Sequence, residues 1–125
     1  MKKGFTLIEL LAVIIILAII ALIATPIILN VVDDARRSAA VSEASMIVSG
    51  VNNYCATSAM KNQMDSSNAD ICADGVDKTE VPTMVNLGNA TVNSITYTNG
   101  TVTALNIKSN TYTVTYNGTT FTTSK

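Results

Sequence analysis

The chain begins with a long apolar segment and ends with a segment in which polar and apolar residues alternate. No polar side chain occurs from Leu10 to Ala24, and beyond Thr25 and Pro26 the apolar run continues to Leu29. Residues 5–29 exceed the ~20 residues that a helix needs to cross the hydrocarbon layer of a bilayer. The pattern therefore predicts a transmembrane helix near the N-terminus.

The helical pattern continues beyond this segment, into residues 30–125. We expect these residues to form one folded domain, which we call the headgroup. Pro26 removes the N–H donor for the carbonyl of Leu22, which predicts a kink at Pro26 rather than an end of the helix. Apolar residues then recur at spacings of three and four, so they share one face of a helix that extends to about residue 60. These residues are Ala40, Ala44, Ile47, Val48, Val51, Tyr54 and Cys55.

The remainder of the chain predicts a loop followed by a β-meander. Residues 65–80 combine acids, serines and a glycine without periodicity, which is typical of a loop. Asn99-Gly100 and Asn117-Gly118 are strong hairpin signals, and Ser109-Asn110 is a weaker one. They divide the last third into strands of about 91–98, 101–108, 111–116 and 119–124. A long helix packed on an antiparallel sheet of about four strands is an α+β fold.

The turns also predict the register of the sheet. Across the first turn, Thr98 faces Thr101, Tyr97 faces Val102 and Val92 faces Ile107. Across the second, Leu105 faces Val114 and Ile107 faces Tyr112; across the third, Val114 faces Phe121. Alternation then gives a core face, which collects Val92, Leu105, Ile107, Tyr112, Val114, Tyr116 and Phe121. The outward face carries Asn106, Lys108, Thr111, Thr113 and Thr115 with a small apolar group of Ile95, Tyr97, Val102 and Ala104.

A short motif precedes the apolar segment. Lys2 and Lys3 are followed by Gly4, Phe5 and, four residues later, Glu9. A carboxylate inside a membrane segment costs roughly 2.5–3.5 kcal/mol at the helix centre and less near an end, so Glu9 is expected to have a partner.

This motif resembles the class III signal peptide of type IV pilins and pseudopilins, over Lys2 to about Asn30. The resemblance implies that prepilin peptidase removes the leader, residues 1–4, by cutting between Gly4 and Phe5 and then methylates the Phe5 amine. It implies that Glu9 binds the Phe5 amine of a neighbouring subunit as the assembly machinery builds a helical homopolymer. It also implies a single-pass precursor with its headgroup outside the cytoplasmic membrane, and an extracellular pilus after assembly.

Other functions compete with a pilus subunit. A minor pilin or a pseudopilin of a type II secretion or competence machine would carry the same motif. A secretory signal peptide would have a shorter apolar core and a cleavage site after it. A membrane-anchored binding domain fits the cytoplasmic placement of Lys2 and Lys3, but it leaves Gly4, Phe5 and Glu9 unexplained. The small headgroup and the simple cysteine pattern resemble Gram-positive pilins.

Cys55 and Cys72 are the two cysteines of the chain. A headgroup outside the membrane is in an oxidising environment, where a bridge between them would restrict the expected loop. Two separate thiols are the alternative.

Composition argues against catalysis and against several ligand classes. The chain has no histidine, a net charge of −1 and 14% charged residues, so it offers no broad basic surface for nucleic acid. Asp70, Asp74 and Gly75 fit a calcium loop, but Cys72 and Val81 stand where oxygen ligands are needed. We therefore expect no enzyme, no cofactor and no metal site.

Overall fold

The computed structural model describes residues 3–67 and 69–125. Lys2 of the expected leader and Asn68 of the expected loop lie outside the described residues. A long helix, α1, spans Leu7–Met64 and continues through Pro26. The chain divides into two compact units, Met1–Ala35 and Arg36–Lys125, and α1 contributes to both.

In the second unit, α1 buries one apolar face. Its buried residues are Ala40, Ala44, Ile47, Val48, Val51, Cys55 and Ser58. The predicted face is thus confirmed except at Tyr54, which is 36% exposed. Tyr54 lies at the flank of the face and lines an open groove with Asn53 and Lys61. Spacing alone therefore overestimated the width of the buried face.

A glycine lets the segment after the loop approach α1 closely. A second, short helix, α2, spans Val81–Met84, and Val81 is fully buried. A Cβ atom on Gly50 would lie 2.5 Å from Cγ2 of Val85, closer than real Cβ atoms approach other atoms. The absence of a side chain at Gly50 thus makes room for Val85 against the helix.

The sheet is the predicted four-stranded meander. All neighbouring strands are antiparallel, in the order β1-β2-β3-β4. The strands are β1 (Ala90–Thr98), β2 (Thr101–Ser109), β3 (Tyr112–Tyr116) and β4 (Phe121–Ser124). The α+β prediction is therefore confirmed.

Two β-bulges interrupt the pairing of β1 with β2. The predicted pairs of Thr98 with Thr101, Tyr97 with Val102, and Val92 with Ile107 are all present, but register shifts lie between them. Thr103 is an extra residue on β2, and Asn93 is an extra residue on β1. Because each bulge shifts the pairing by one residue and they lie on opposite strands, the two shifts cancel.

The bulges correct the predicted faces of the sheet. In the part of each strand between its bulge and the first turn, side chains point to the face opposite to the one predicted. The assignment of Ile95, Tyr97 and Val102 to the outward face was therefore wrong. Val102 is buried, and Ile95 and Tyr97 pack against the core. Ala104 lies beyond the bulge and keeps its outward position.

The second turn is also displaced from its predicted place. Leu105 pairs with Tyr116 rather than Val114, and Ile107 pairs with Val114 rather than Tyr112. Ser109 is fully buried and remains in β2, while Asn110 has the positive φ of a turn residue, 55°. The turn therefore follows Ser109.

The third turn is longer than predicted. Val114 pairs with Thr123 and Phe121 with Tyr116, so the predicted pair of Val114 with Phe121 was wrong. The side-chain oxygen of Asn117 accepts hydrogen bonds from the N–H groups of Thr119 and Thr120, which stabilises a four-residue turn. Both displaced pairings shift by two residues, so the core face is unchanged.

Two polar side chains of α1 bind the sheet at the margins of the core. The side-chain oxygen of Asn52 accepts a 2.8 Å hydrogen bond from the N–H of Val102, next to the bulge on β2. The carboxylate of Glu43 accepts a hydrogen bond from the hydroxyl of Ser109. These contacts fix the sheet against the helix at both ends of β2.

Candidate processing and assembly site

The expected cleavage position lies in an accessible segment before α1. Gly4 and Phe5 are exposed and precede the first helical residue, Leu7. A Cβ atom added to Gly4 would meet no atom within 4 Å, and Gly4 does not have a positive φ. The fold therefore imposes no need for glycine at this position. A requirement for Gly4 would have to come from an enzyme that binds the segment.

Glu9 closes the first turn of α1 together with Thr6. The Oε2 atom of Glu9 accepts hydrogen bonds from the N–H of Thr6 at 2.8 Å and from its hydroxyl at 3.0 Å. In return, Thr6 Oγ1 accepts a 3.3 Å hydrogen bond from the N–H of Glu9. This reciprocal arrangement is a capping box, which satisfies N–H groups that have no partner within the helix.

Thr6 was not among the predicted site residues. The signal was present in the sequence, because Thr6 and Glu9 have the Thr-x-x-Glu spacing of a capping box in front of an apolar run. Phe5 and Glu9 line the same shallow hollow, together with Leu10, Ala12 and Val13. The first unit thus brings Phe5 and Glu9 together at the start of the helix, and Gly4 directly precedes Phe5.

The apolar side chains of the first unit are exposed. Phe5 is 93% exposed, and the large apolar residues from Leu7 to Val32 are all at least 40% exposed. Among the described residues, α1 is the one helix long and apolar enough to cross a membrane. A surface this extensive and apolar needs lipid or other protein to cover it.

Pro26 lies inside the apolar segment, far along the helix from Glu9. Its ring nitrogen cannot donate to the carbonyl of Leu22. One residue earlier, the hydroxyl of Thr25 donates a 2.6 Å hydrogen bond to the carbonyl of Ala21. The helix continues through this position, and the predicted kink stays a prediction.

Cys55 and Cys72 belong to the second unit, where a disulfide joins them with a Cα–Cα distance of 5.5 Å. Nearby, the hydroxyl of Ser58 accepts a 3.0 Å hydrogen bond from the N–H of Ile71. The disulfide closes a 17-residue separation, which corresponds to about 3 kcal/mol in the chain-entropy model. Cys72 and Ser58 thus hold the loop against α1. No motif in the sequence indicates this role of Ser58.

The hollows lined by the described residues of the second unit are shallow. One lies between the loop and the first hairpin turn and is lined by Asp70, Asp74 and Tyr97. Partial burial, followed by the nearby carboxylate of Asp70, raises the pKa of Tyr97. Within residues 3–67 and 69–125, no group of three or more acidic, cysteine or histidine side chains could hold a metal ion.

Comparison with known proteins identifies the N-terminal segment. No curated protein and no solved structure matches the chain. Residues 1–25 match the family described as the prokaryotic N-terminal methylation motif. The motif points to a structural protein rather than to a known enzyme family, and it implies processing by prepilin peptidase. The first 25 residues therefore carry the class III signal peptide of type IV pilins.

Proposed function

We propose that the chain is a structural subunit of a type IV pilus filament. In this proposal, prepilin peptidase cuts between Gly4 and Phe5, the new amine of Phe5 is methylated, and the subunit polymerises through its apolar segment. The observation that carries the proposal is the coincidence of the methylation motif with an exposed apolar helix that leads into a folded headgroup.

The membrane holds the precursor before assembly. The apolar side chains from Leu7 to Val32 would contact lipid, with the headgroup outside the cytoplasmic membrane. During assembly the same side chains would leave the lipid and pack against the apolar segments of neighbouring subunits. The two environments are both apolar, so the transfer costs little hydrophobic free energy. The assembly machinery would supply the work that extracts each subunit.

Glu9 would select the docking position between neighbouring segments. Both hydrogen bonds from Thr6 go to Oε2, so we assign Oε1 to the Phe5 amine of an adjacent subunit. In the apolar interior of a filament an unpaired carboxylate is strongly unfavourable, and a position that brings it to a cation is favoured. Cleavage after Gly4 creates that cation, which links processing to assembly.

The proposal can be tested by preventing cleavage. Gly4→Ser leaves the accessible segment otherwise intact, because a side chain at this position would meet no neighbour. We expect this variant to accumulate in the membrane with the leader attached and to yield no sheared filaments. Lys3→Ser, one residue earlier, is a control that keeps the cleavage position. Filaments built from uncleaved Gly4→Ser subunits would contradict the proposal.

The same preparations separate the alternatives. Abundant wild-type protein in sheared filaments indicates a major pilus subunit. Cleaved protein that is a trace component of filaments made by another subunit indicates a minor pilin, and cleaved protein that never leaves the cell envelope indicates a pseudopilin. An uncleaved chain that remains in the membrane indicates an anchored binding domain.

A further inference from the structure

The disulfide of the second unit joins two segments of different structure. Cys55 lies inside α1, which continues to Met64, and Cys72 lies in the loop that follows the helix. Both residues are buried in the bridged protein, with 1% and 4% of their surface exposed. Before the bridge forms, the access of an oxidant to each thiol depends on what else holds its segment in place. The order in which the two thiols react therefore depends on their surroundings.

Cys55 belongs to the part of α1 that packs on the sheet. Val51, one turn earlier on the same face of the helix, is fully buried. The side chain of Asn52 accepts a hydrogen bond from the N–H of Val102, which holds β2 against this part of the helix. A sulfur atom on the packed face of a helix cannot move outward without disrupting that packing. Cys55 thus keeps its position whether or not the loop is attached.

The loop around Cys72 has few other attachments to the helix. Among residues 65–67 and 69–73, Cys72 is the one buried residue. The hydrogen bonds described between residues 69–73 and α1 both involve the hydroxyl of Ser58, which accepts from the N–H of Ile71 at 3.0 Å and donates to the carbonyl of Ala69 at 3.5 Å. Without the disulfide, this stretch can therefore leave α1 when these two hydrogen bonds break.

An exposed apolar side chain directly precedes Cys72. Ile71 is 50% exposed, and it is the one large aliphatic residue of the segment 65–74. Proteins that bind an extended peptide use hydrogen bonds to its backbone and pockets for its side chains. The stretch around Cys72 can adopt an extended form once it leaves α1, whereas Cys55 remains within a helix. Cys72 is therefore the thiol that an oxidant can reach.

We infer that the disulfide forms in a fixed order, in which Cys72 is the entry thiol and Cys55 is the resolving thiol. The thiolate of Cys72 attacks a disulfide of the oxidant, one sulfur of the oxidant leaves as a thiolate, and a mixed disulfide remains at Cys72. The thiolate of Cys55 then attacks Sγ of Cys72, and the second sulfur of the oxidant leaves. Two electrons and two protons thus pass from the cysteines to the oxidant, whose disulfide is reduced to thiols.

Ser58 is the positioning residue for the second step. It follows Cys55 by one turn on the same face of α1, and its hydroxyl binds the backbone of the loop at Ala69 and Ile71. These contacts return the mixed disulfide at Cys72 to the neighbourhood of Cys55, so that the attack is intramolecular and well oriented. Loss of the hydroxyl should therefore slow the second step without slowing the first.

The inference goes beyond the proposed function, because it concerns the maturation of the headgroup rather than its assembly. The oxidant that it requires is a disulfide, carried by a protein or by a small molecule outside the cytoplasm. The order of the two steps can be measured on the unassembled chain. Failure of this inference would leave the filament proposal in place, and the reverse also holds.

Single-cysteine variants of the full-length chain in detergent test the order. Each variant is reduced and mixed with hydroxyethyl disulfide, a neutral reagent that the carboxylates of the loop do not repel, and intact mass follows its modification. We expect Cys72 in Cys55→Ser to react about tenfold faster than Cys55 in Cys72→Ser. In denaturant the two rates should agree within about twofold, because the fold no longer limits access. Equal rates in the folded chain, or faster modification of Cys55, would overturn the inference.

Ser58→Ala in the chain with both cysteines tests the positioning residue. We expect the mixed disulfide at Cys72 to persist about threefold longer or more, with an unchanged rate of formation. Ser42→Ala is the matched control, since the hydroxyl of Ser42 binds the carbonyl of Ser38 on an exposed part of the same helix. An unchanged lifetime in Ser58→Ala, or equal changes in both steps, would overturn the role of Ser58.

The Cys55→Ser variant also identifies the source of the oxidant in cells, because it stops the reaction at the mixed disulfide. A protein-sized adduct that disappears on reduction would identify a protein disulfide, and a small added mass would identify a small-molecule disulfide. Either adduct on Cys72 supports its role as the entry thiol. An adduct in Cys72→Ser with none in Cys55→Ser would overturn the order.

Discussion

Thr6 and Glu9 bind each other at the first turn of α1, through three hydrogen bonds of 2.8, 3.0 and 3.3 Å. The contact keeps the carboxylate beside the residue that would become the new N-terminus after cleavage. Glu9 therefore has a structural role within its own chain, and the proposed role between subunits has to be separated from it by experiment.

Glu9→Gln makes this separation. Glutamine keeps a side-chain oxygen that can accept from Thr6, so the helix cap should persist, but the charge is lost. We expect normal membrane levels and cleavage, and at least a tenfold lower yield of sheared filaments. Glu9→Leu removes both the charge and the cap, and we expect it to insert into the membrane while also failing to polymerise. Normal filament yield from Glu9→Gln would contradict a role for the charge.

Val102→Asp tests the bulge on β2. Val102 is 1% exposed, and burial of an unpaired charge there should cost about 4 kcal/mol or more in unfolding free energy. Ala104→Asp, on the outward face beyond the bulge, should be tolerated. Denaturant unfolding of a soluble fragment of residues 30–125 measures both. Equal losses of unfolding free energy in the two variants would mean that Val102 and Ala104 lie on the same face of the sheet, without a bulge at Thr103.

Gly50→Ala tests the close approach of Val85 to α1. The added methyl group would lie 2.5 Å from Cγ2 of Val85, and overpacking of this kind typically costs about 1–3 kcal/mol. The higher helix propensity of alanine offsets about 1 kcal/mol of that cost. Val85→Ala should therefore destabilise the wild-type fragment more than it destabilises Gly50→Ala. Additive effects of the two substitutions would show that the two sites do not share this contact.

Asp77→Asn tests the acid dependence of the loop. The N–H and hydroxyl of Thr79 lower the pKa of Asp77 in the folded protein. A lowered pKa stabilises the fold above the unfolded value of about 4, and this contribution is lost as the pH falls through the folded value. We expect Asp77→Asn to be less stable than wild type at pH 7 and equally stable near pH 2. A stability difference that is constant with pH would contradict the assignment.

Most elements of the fold could be predicted from the sequence, because each of them depends on a local pattern of residues. The apolar run, the helical spacing from Ala40 to Cys55 and the two Asn-Gly turns each specify an element without reference to the others. The bulges at Asn93 and Thr103 could not be predicted from local patterns, because they depend on how two strands fit the helix. Asn52 accepts from the N–H of Val102 beside one bulge, a contact 50 residues apart in the chain.

The candidate processing site could also be predicted from the sequence, whereas contacts between distant residues could not. Gly4, Phe5 and Glu9 are recognisable because a peptidase and a membrane impose their requirements on consecutive residues. The contact between Arg37 and Thr123 is not recognisable from the sequence, because the two residues meet only when the sheet packs on α1. Long-range pairing therefore limits what the sequence alone predicts about surfaces.

The central claim is that the chain is cut after Gly4 and built into a filament. Mass spectrometry of the intact subunit from sheared surface filaments tests it most directly. The account predicts a chain that begins at Phe5, carries one additional methyl group on its N-terminal amine and retains the whole apolar segment. A filament subunit that begins at Met1, or one cut beyond Leu29, would contradict the account.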